Sequence, residues 1–139
     1  MEKLLKIPYA VFNDWDQLQQ FLERRGNPRY EIVGDVDLFN RKDIFDLGNL
    51  VRVDGYLFLE ESSIESLGNL EYVGGYLDLV GTPIQSLGNL EYVGGYLDLR
   101  NTPIESLGNL QYVGGTIHLS DDHQIPEEQL TRFKFKVYY

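Results

Sequence analysis

The chain repeats itself every twenty residues from Leu47 onward. Four successive units read LGNLVRVDGYLFLEESSIES, LGNLEYVGGYLDLVGTPIQS, LGNLEYVGGYLDLRNTPIES and LGNLQYVGGTIHLSDDHQI. A fixed period of about 20 to 50 residues is typical of a solenoid, in which each unit forms one coil and stacks on the preceding coil. The sequence therefore predicts a solenoid, a fold class that usually binds partners through its long, regular surface.

Six apolar positions recur in register and predict the core of each coil. In the second unit they are Leu67, Leu70, Val73, Leu77, Leu79 and Ile84. Leu77 and Leu79 are two residues apart, as in a strand, so their neighbours Tyr76, Asp78 and Val80 are expected on the outward face. The spacing of three between Leu67, Leu70 and Val73 favours a short 3₁₀ or irregular segment. The predicted coil has one parallel sheet face and an irregular opposite face.

The predicted domain has a cap at each end, because a terminal coil otherwise exposes its apolar face. Residues 1–27 form an N-terminal cap with a helix over 13–26, in which Asn13 or Asp14 is the N-cap and Gly26 the stop. Residues 28–126 form five coils, the first of them degenerate. Residues 127–139 form a C-terminal cap, with PEEQLTRF as a short helix and KFKVYY as an edge strand.

Two further columns, one of glycines and one of asparagines, have structural explanations. A glycine precedes each predicted strand at Gly55, Gly75, Gly95 and Gly115, where a tight bend or a close approach between coils excludes a Cβ. An asparagine column at Asn49, Asn69, Asn89 and Asn109 is expected to bond turn backbones or other asparagines between coils.

The composition excludes several classes of protein. The chain has 139 residues and no cysteine, so it forms neither disulfides nor thiolate metal sites. No segment resembles a secretory signal or reaches the roughly 20 apolar residues of a membrane span. We expect a cytoplasmic protein without a membrane partner. Between Val53 and Glu128 there are 13 acidic residues and one basic residue, so this part disfavours nucleic acid and favours a basic partner.

The outward positions of the predicted strands form three ladders across the coils. The first contains Asp35, Tyr56, Tyr76, Tyr96 and Thr116; the second Asp37, Phe58, Asp78, Asp98 and His118; the third Phe39, Glu60, Val80, Arg100 and Ser120. Aromatic rings among carboxylates are typical of protein-binding surfaces. The alternative is that the tyrosines only stack and stiffen the sheet.

From these ladders we predict a partner-binding face with Tyr76 and Tyr96 as its anchors. The predicted binding residues are Tyr56, Phe58, Glu60, Tyr76, Asp78, Val80, Tyr96, Asp98, Arg100 and His118. Such a face covers only a few hundred Å², below the ~800 Å² per partner of a standard interface. The adjoining loops or the caps must therefore contribute to a tight complex.

Catalytic and metal chemistry have weaker support. His118, Asp121, Asp122 and His123 contain possible metal ligands, but an exposed polar loop explains them better. Asp78 and Asp98 have a spacing that suits a glycosidase pair, yet a surface ladder in which Arg100 or His118 neutralises Asp98 is the preferred interpretation. No phosphate-binding loop or nucleophile elbow is present in the sequence. We expect no catalytic residue, no cofactor and no resident metal.

The pattern L-x-x-L-x-x-V-x-G-x-L-x-L-x-x-T-x-I, from Leu87 to Ile104, resembles leucine-rich repeats. Its core over Val93–Thr102 is similar to the repeats of receptor L domains, and the resemblance covers about residues 30–125. It implies a right-handed coil whose parallel sheet face binds a partner. The chain differs from secreted L domains in having no cysteine.

These observations favour a non-catalytic protein–protein interaction module with a basic or nucleic-acid-binding protein as its partner. One alternative is a small acidic inhibitor that occupies the nucleic-acid site of a nuclease or another nucleic-acid-binding protein, as some phage-encoded antagonists of bacterial defences do. The third alternative is a carbohydrate- or metal-dependent enzyme, which requires a cleft that the repeat does not predict.

Overall fold

The computed structural model describes residues 3–139 and forms a parallel β-solenoid of about five turns. This confirms the predicted solenoid. Within the described residues the strands form two six-stranded parallel sheets. Sheet A contains β1 Leu5–Pro8, β2 Tyr30–Val33, β4 Leu50–Val53, β6 Tyr72–Val73, β8 Tyr92–Val93 and β10 Tyr112–Val113. Sheet B contains β3 Val36–Asp37, β5 Leu57–Phe58, β7 Leu77–Asp78, β9 Leu97–Asp98, β11 Ile117–His118 and β12 Val137–Tyr138.

Sheet A lies on the side of the coil for which the three-residue spacing of Leu67, Leu70 and Val73 predicted an irregular or 3₁₀ face. Part of that prediction holds, because the amide of Leu70 donates to the carbonyl of Leu67 in a tight turn. The backbone then becomes extended, and Val73 pairs with Val53 on one side and Val93 on the other. The spacing of three therefore combines a turn with a strand only two residues long. Apolar periodicity alone does not separate these from a continuous 3₁₀ segment.

The apolar columns stack into one core between the two sheets. Leu57, Leu77, Leu97 and Ile117 are paired in register across sheet B, and all four are fully buried. Val53, Val73, Val93 and Val113 form the facing column of sheet A. The degenerate first coil joins in the predicted register, with Ile32 beside Val53 and Val36 beside Leu57.

Glycine pairs mark the point where successive coils approach most closely. A Cβ built on Gly94 would lie 2.0 Å from the carbonyl oxygen of Gly74, and one on Gly114 would lie 2.1 Å from that of Gly94. An ordinary side chain does not fit at these distances. Of the glycines that precede the strands, Gly75, Gly95 and Gly115 have nearest contacts of 2.9, 3.1 and 3.0 Å and are less crowded, whereas a Cβ on Gly55 would lie 2.1 Å from a carboxylate oxygen of Asp35. The tightest requirement thus lies one residue before the predicted glycine column.

The asparagine column bonds between coils as predicted. The Asn69 amide nitrogen donates to the Asn49 side-chain oxygen at 2.9 Å, and the Asn49 amide donates to the carbonyl of Asn27 at 2.6 Å. The Asn89 amide reaches the carbonyl of Gly68 at 3.4 Å. These side chains satisfy polar groups of turns, which is the structural role expected of them.

The N-terminal cap contains a helix, α1 Trp15–Glu23, and a strand that the sequence did not predict. Asp14 is the N-cap and accepts a hydrogen bond from the amide of Gln17 at 2.8 Å. Trp15, Leu18 and Leu22 are buried against the first coil. Strand β1 pairs with β2 and extends sheet A beyond the coils. The first two residues of the predicted 1–27 cap lie outside the described residues.

The C-terminal cap follows the predicted helix and edge strand. Helix α2 Glu127–Leu130 continues into a 3₁₀ turn, Thr131–Phe133, and buries Leu130 and Phe133 over the last coil. Strand β12 then pairs in parallel with β11 at the edge of sheet B. No helix among residues 3–139 is long and apolar enough to cross a membrane.

Candidate functional site

The outer face of sheet B brings the three predicted ladders together. Phe58 lies beside Asp78, Asp78 beside Asp98, and Asp98 beside His118 in the strand register. The C-terminal cap adds Tyr138 beside His118. The ten predicted binding residues therefore share one face, although they differ in how far they reach solvent.

The aromatic side chains of this face form one packed cluster. The rings of Tyr76 and Tyr96 are stacked with centroids 4.4 Å apart and planes within 3°, and Tyr56 stacks on Tyr76 at 5.6 Å. Phe58 contacts Tyr56 at 4.5 Å and Tyr76 at 5.8 Å. Because the ring faces cover one another, the cluster presents mainly ring edges to solvent. Tyr76 remains 38% exposed.

Asp78 and Asp98 are buried, which corrects the expectation that they form an open surface ladder. Their exposed fractions are 9% and 5%. Asp78 accepts a hydrogen bond from the amide of Val80 at 3.0 Å, and Asp98 accepts one from the amide of Arg100 at 3.2 Å. The carboxylates fold back onto their own strand ends and are covered by neighbouring larger side chains. Strand alternation predicted their side of the sheet but not this cover.

Arg100 neutralises Asp98, as one of the two predicted arrangements has it. The guanidinium Nε lies 2.9 Å from one carboxylate oxygen and Nη2 lies 2.6 Å from the other, a two-pronged ion pair. His118 does not take this role. Its Nε2 lies 2.7 Å from the Thr116 hydroxyl, and its ring packs 6.0 Å from Tyr138.

A shallow recess lies next to the aromatic cluster. It has a volume of about 270 Å³ and is lined by Asp37, Phe39, Phe58, Glu60, Asp78 and Tyr96. Asp37 and Phe39 belong to the predicted ladders but were not among the predicted binding residues. Both belong to the degenerate first coil, which was not included in the predicted binding face. The recess combines three aromatic side chains with three carboxyl groups.

The carboxyl groups of the recess lack ion-pair partners of their own, and the nearby Arg100 acts on them only from its ion pair with Asp98. No ion pair joins Asp37, Glu60 or Asp78 to a basic residue in the described part of the chain. Burial and the neighbouring Asp78 raise the pKa of Glu60. Burial also raises the pKa of Asp78, to which Asp98 adds, while the hydrogen bond from Val80, the charge of Arg100 and the hydrogen bond with Glu60 oppose the rise. Both shifts show that negative charge is costly here, so a cation placed here would be stabilised.

Sheet A carries a second tyrosine ladder that the sequence analysis overlooked. Tyr72, Tyr92 and Tyr112 stack with centroids 4.5 and 4.8 Å apart, and the guanidinium of Arg52 lies 3.8 Å from the Tyr72 ring. The recurring EYVGG segment was the available signal. Here, however, charge is compensated, because Glu31 pairs with Lys6 at 3.6 Å and with Arg52 at 3.5 Å.

The predicted polar loop at the last coil shows no metal-binding geometry. Among residues 3–139 no group of three or more His, Cys, Asp or Glu side chains is placed to hold a metal ion. His123 accepts a hydrogen bond from the amide of Ile125 at 3.1 Å and stacks on Tyr139 at 5.6 Å. Its ring therefore has a structural role at the end of the solenoid.

Comparison with protein-family models, with curated proteins and with solved structures gave no match in any of the three. The fold is shown by the geometry of the chain itself, as a parallel β-solenoid. The resemblance to leucine-rich repeats stays a prediction from the repeat pattern.

Proposed function

We propose that the protein is a non-catalytic binding module that holds a basic protein partner on the outer face of sheet B. One observation carries the proposal: an aromatic cluster lies beside carboxyl groups that form no ion pair within the described residues. Tyr76 and Tyr96 are the anchors, because their bulky rings are held stiffly by stacking and are central on the face. Phe58 extends the apolar part of the contact.

Charge separates the two tyrosine ladders as candidate interfaces. On sheet A, Arg52 covers the end of the ladder and pairs with Glu31, so that face already has both signs of charge. On sheet B, Asp78 and Glu60 line the recess beside the aromatic cluster and form no ion pair in the described part of the chain, because Arg100, the basic residue that acts on them, is paired with Asp98. A basic partner gains more from the second arrangement, since complementary charge steers encounter and fixes orientation.

A binding role also accounts for the chemistry of the face better than catalysis does. Arg100 occupies both oxygens of Asp98, so that Asp78 and Asp98 are not a free carboxylate pair. The recess is shallow and open, whereas the glycosidase alternative requires a cleft that surrounds a sugar. We therefore assign no catalytic residue.

The test compares matched tyrosine variants on the two sheets. Tyr96→Ala should weaken the binding of a captured partner by about 2 kcal/mol, roughly 30-fold in Kd, because it removes a central aromatic anchor. Tyr92→Ala is the control, since Tyr92 stacks as tightly at 4.5 Å but on sheet A. The partner is isolated by pull-down and each variant measured by calorimetry. Equal losses from both variants would contradict the assignment of the binding face.

The acidic-inhibitor alternative shares this surface and differs in its partner. It is favoured by the net charge of −12 between Val53 and Glu128, which resembles the charge of a nucleic acid. Under this alternative, DNA or RNA displaces the captured protein at constant ionic strength. If the partner stays bound when nucleic acid is in excess, the inhibitor alternative is contradicted and protein recognition alone remains.

A further inference from the structure

We propose that the recess between Phe39 and Tyr96 receives an arginine side chain of the partner protein, with its guanidinium on Asp78 and Glu60. This inference rests on the proposed function and adds the chemistry of the group recognised. It is carried by the side chains that line the recess and by an equivalent site in the next coil, where Arg100 of the same chain already binds Asp98.

The next coil shows how this repeat holds a guanidinium. The units that begin at Leu67 and Leu87 differ at only three positions, one of which is Val80 in the first and Arg100 in the second. Arg100 grips both oxygens of Asp98 at 2.9 and 2.6 Å. Asp78 has the same place on its strand, paired in register with Asp98, but its neighbour Val80 supplies no charge. A guanidinium from outside the chain can take the equivalent position.

The walls of the recess suit a planar cation. Phe39, Phe58 and Tyr96 line it together with Asp37, Glu60 and Asp78. Aromatic ring faces attract a weakly hydrated guanidinium, and two adjacent carboxyl groups accept its forked donors. Phe39 is 56% exposed at the rim, so that it can cover the aliphatic part of an inserted side chain. The compact, strongly hydrated ammonium of lysine makes weaker contact with the aromatic walls and cannot bond both carboxyl groups through a planar fork.

The energetics of the empty recess point in the same direction. Glu60 and Asp78 line the recess together, and their interaction raises the pKa of Glu60 and lowers that of Asp78, so the proton of the pair is held on Glu60. Two partly buried carboxyl groups without an ion-pair partner are stabilised in their charged form when a cation is placed against them. Anions are excluded by the same charges.

The decisive variant is Val80→Arg, which copies the Arg100 arrangement into the recess. Because the next coil already carries arginine at this position, the variant is expected to fold and to block its own recess. The probe is N-acetyl-arginine N-methylamide, titrated into the full chain and followed by the NMR shifts of backbone amides. The citrulline counterpart has the same shape without the charge. Val80→Met controls for side-chain bulk.

We expect saturable shifts around Phe58, Asp78 and Tyr96 with a Kd on the order of 1 mM, as befits one side chain. Val80→Arg should weaken this binding at least tenfold, and more than Val80→Met, which adds bulk at the same position without a charge. N-acetyl-lysine N-methylamide is titrated in the same way. Equal shifts with the citrulline compound, or with this lysine compound, would overturn the assignment to arginine. Unchanged binding by Val80→Arg would overturn the location.

The same variants separate this inference from the proposed function. If Tyr96→Ala releases the isolated partner while Val80→Arg does not, the face binds protein but the recess holds no arginine. If the arginine probe binds in the recess but neither variant affects the partner, the recess is real and the partner binds elsewhere. Loss of the partner with both variants supports both proposals.

Discussion

Replacing Gly94 with alanine tests whether the close approach of the coils governs stability. The new Cβ would lie 2.0 Å from the carbonyl oxygen of Gly74. An ordinary contact of a Cβ atom is 3.4 Å or longer, so the two coils must move apart by roughly 1.4 Å at this point. The backbone conformation of Gly94 is accessible to alanine, since its φ is not positive. The destabilisation therefore starts from the steric clash and not from the backbone conformation.

The separation also breaks hydrogen bonds between the coils. The amide of Gly94 donates to Val73 at 2.9 Å and that of Gly95 donates to Gly75 at 2.9 Å. Lengthened by about 1 Å, neither meets the geometry of a hydrogen bond. Two lost bonds at ~1 kcal/mol each, with about 2 kcal/mol of overpacking strain, destabilise the fold by about 4 kcal/mol.

Gly88→Ala is the matched control. Gly88 has a φ of 54° but no atom within 4 Å of a built Cβ. Only the left-handed backbone opposes alanine there, at a cost of about 1 kcal/mol. With a urea slope near 2 kcal/mol per M, the unfolding midpoint should fall by about 2 M for Gly94→Ala and about 0.5 M for Gly88→Ala. Circular dichroism in urea measures both. A fall for Gly94→Ala no larger than for Gly88→Ala would refute the packing argument.

Two further predictions concern the core and its response to pH. Leu97→Asp places an unpaired charge at a fully buried position and should abolish the cooperative unfolding transition; retention of the wild-type melting temperature would show that the core face is misassigned. Burial raises the pKa of Tyr30 to about 12, so the folded state favours the neutral phenol. The stability this contributes is present below pH ~10 and is lost as pH rises towards ~12, a change of about 2–3 kcal/mol. Tyr30→Phe should flatten this part of the stability curve measured by urea unfolding at pH 9 and pH 11.5, and a slope equal to that of the wild type would contradict it.

The repeat pattern was sufficient for the solenoid and for much of its detail. Residues at the apolar columns, such as Leu77 and Ile84, are buried as predicted. The sides on which Tyr76 and Asp78 lie followed from strand alternation, and the N-cap was one of two candidates. These properties depend on a residue's position within its own unit, and a period of twenty repeats that information in every coil.

Other features depend on contacts between units, which periodicity does not contain. Sheet A, the cover over Asp78 and the recess shared by Phe39 and Tyr96 all arise from side chains or strands of different coils. The two tyrosine ladders look equivalent in the sequence, and only the positions of Arg52 and Glu31 show that one is charge-compensated. The amphipathic pattern of each unit determined the solenoid and its buried faces, because burial repeats with the coil. The pairing and cover of polar groups were decided by tertiary structure, because they depend on which side chains of neighbouring coils meet in space.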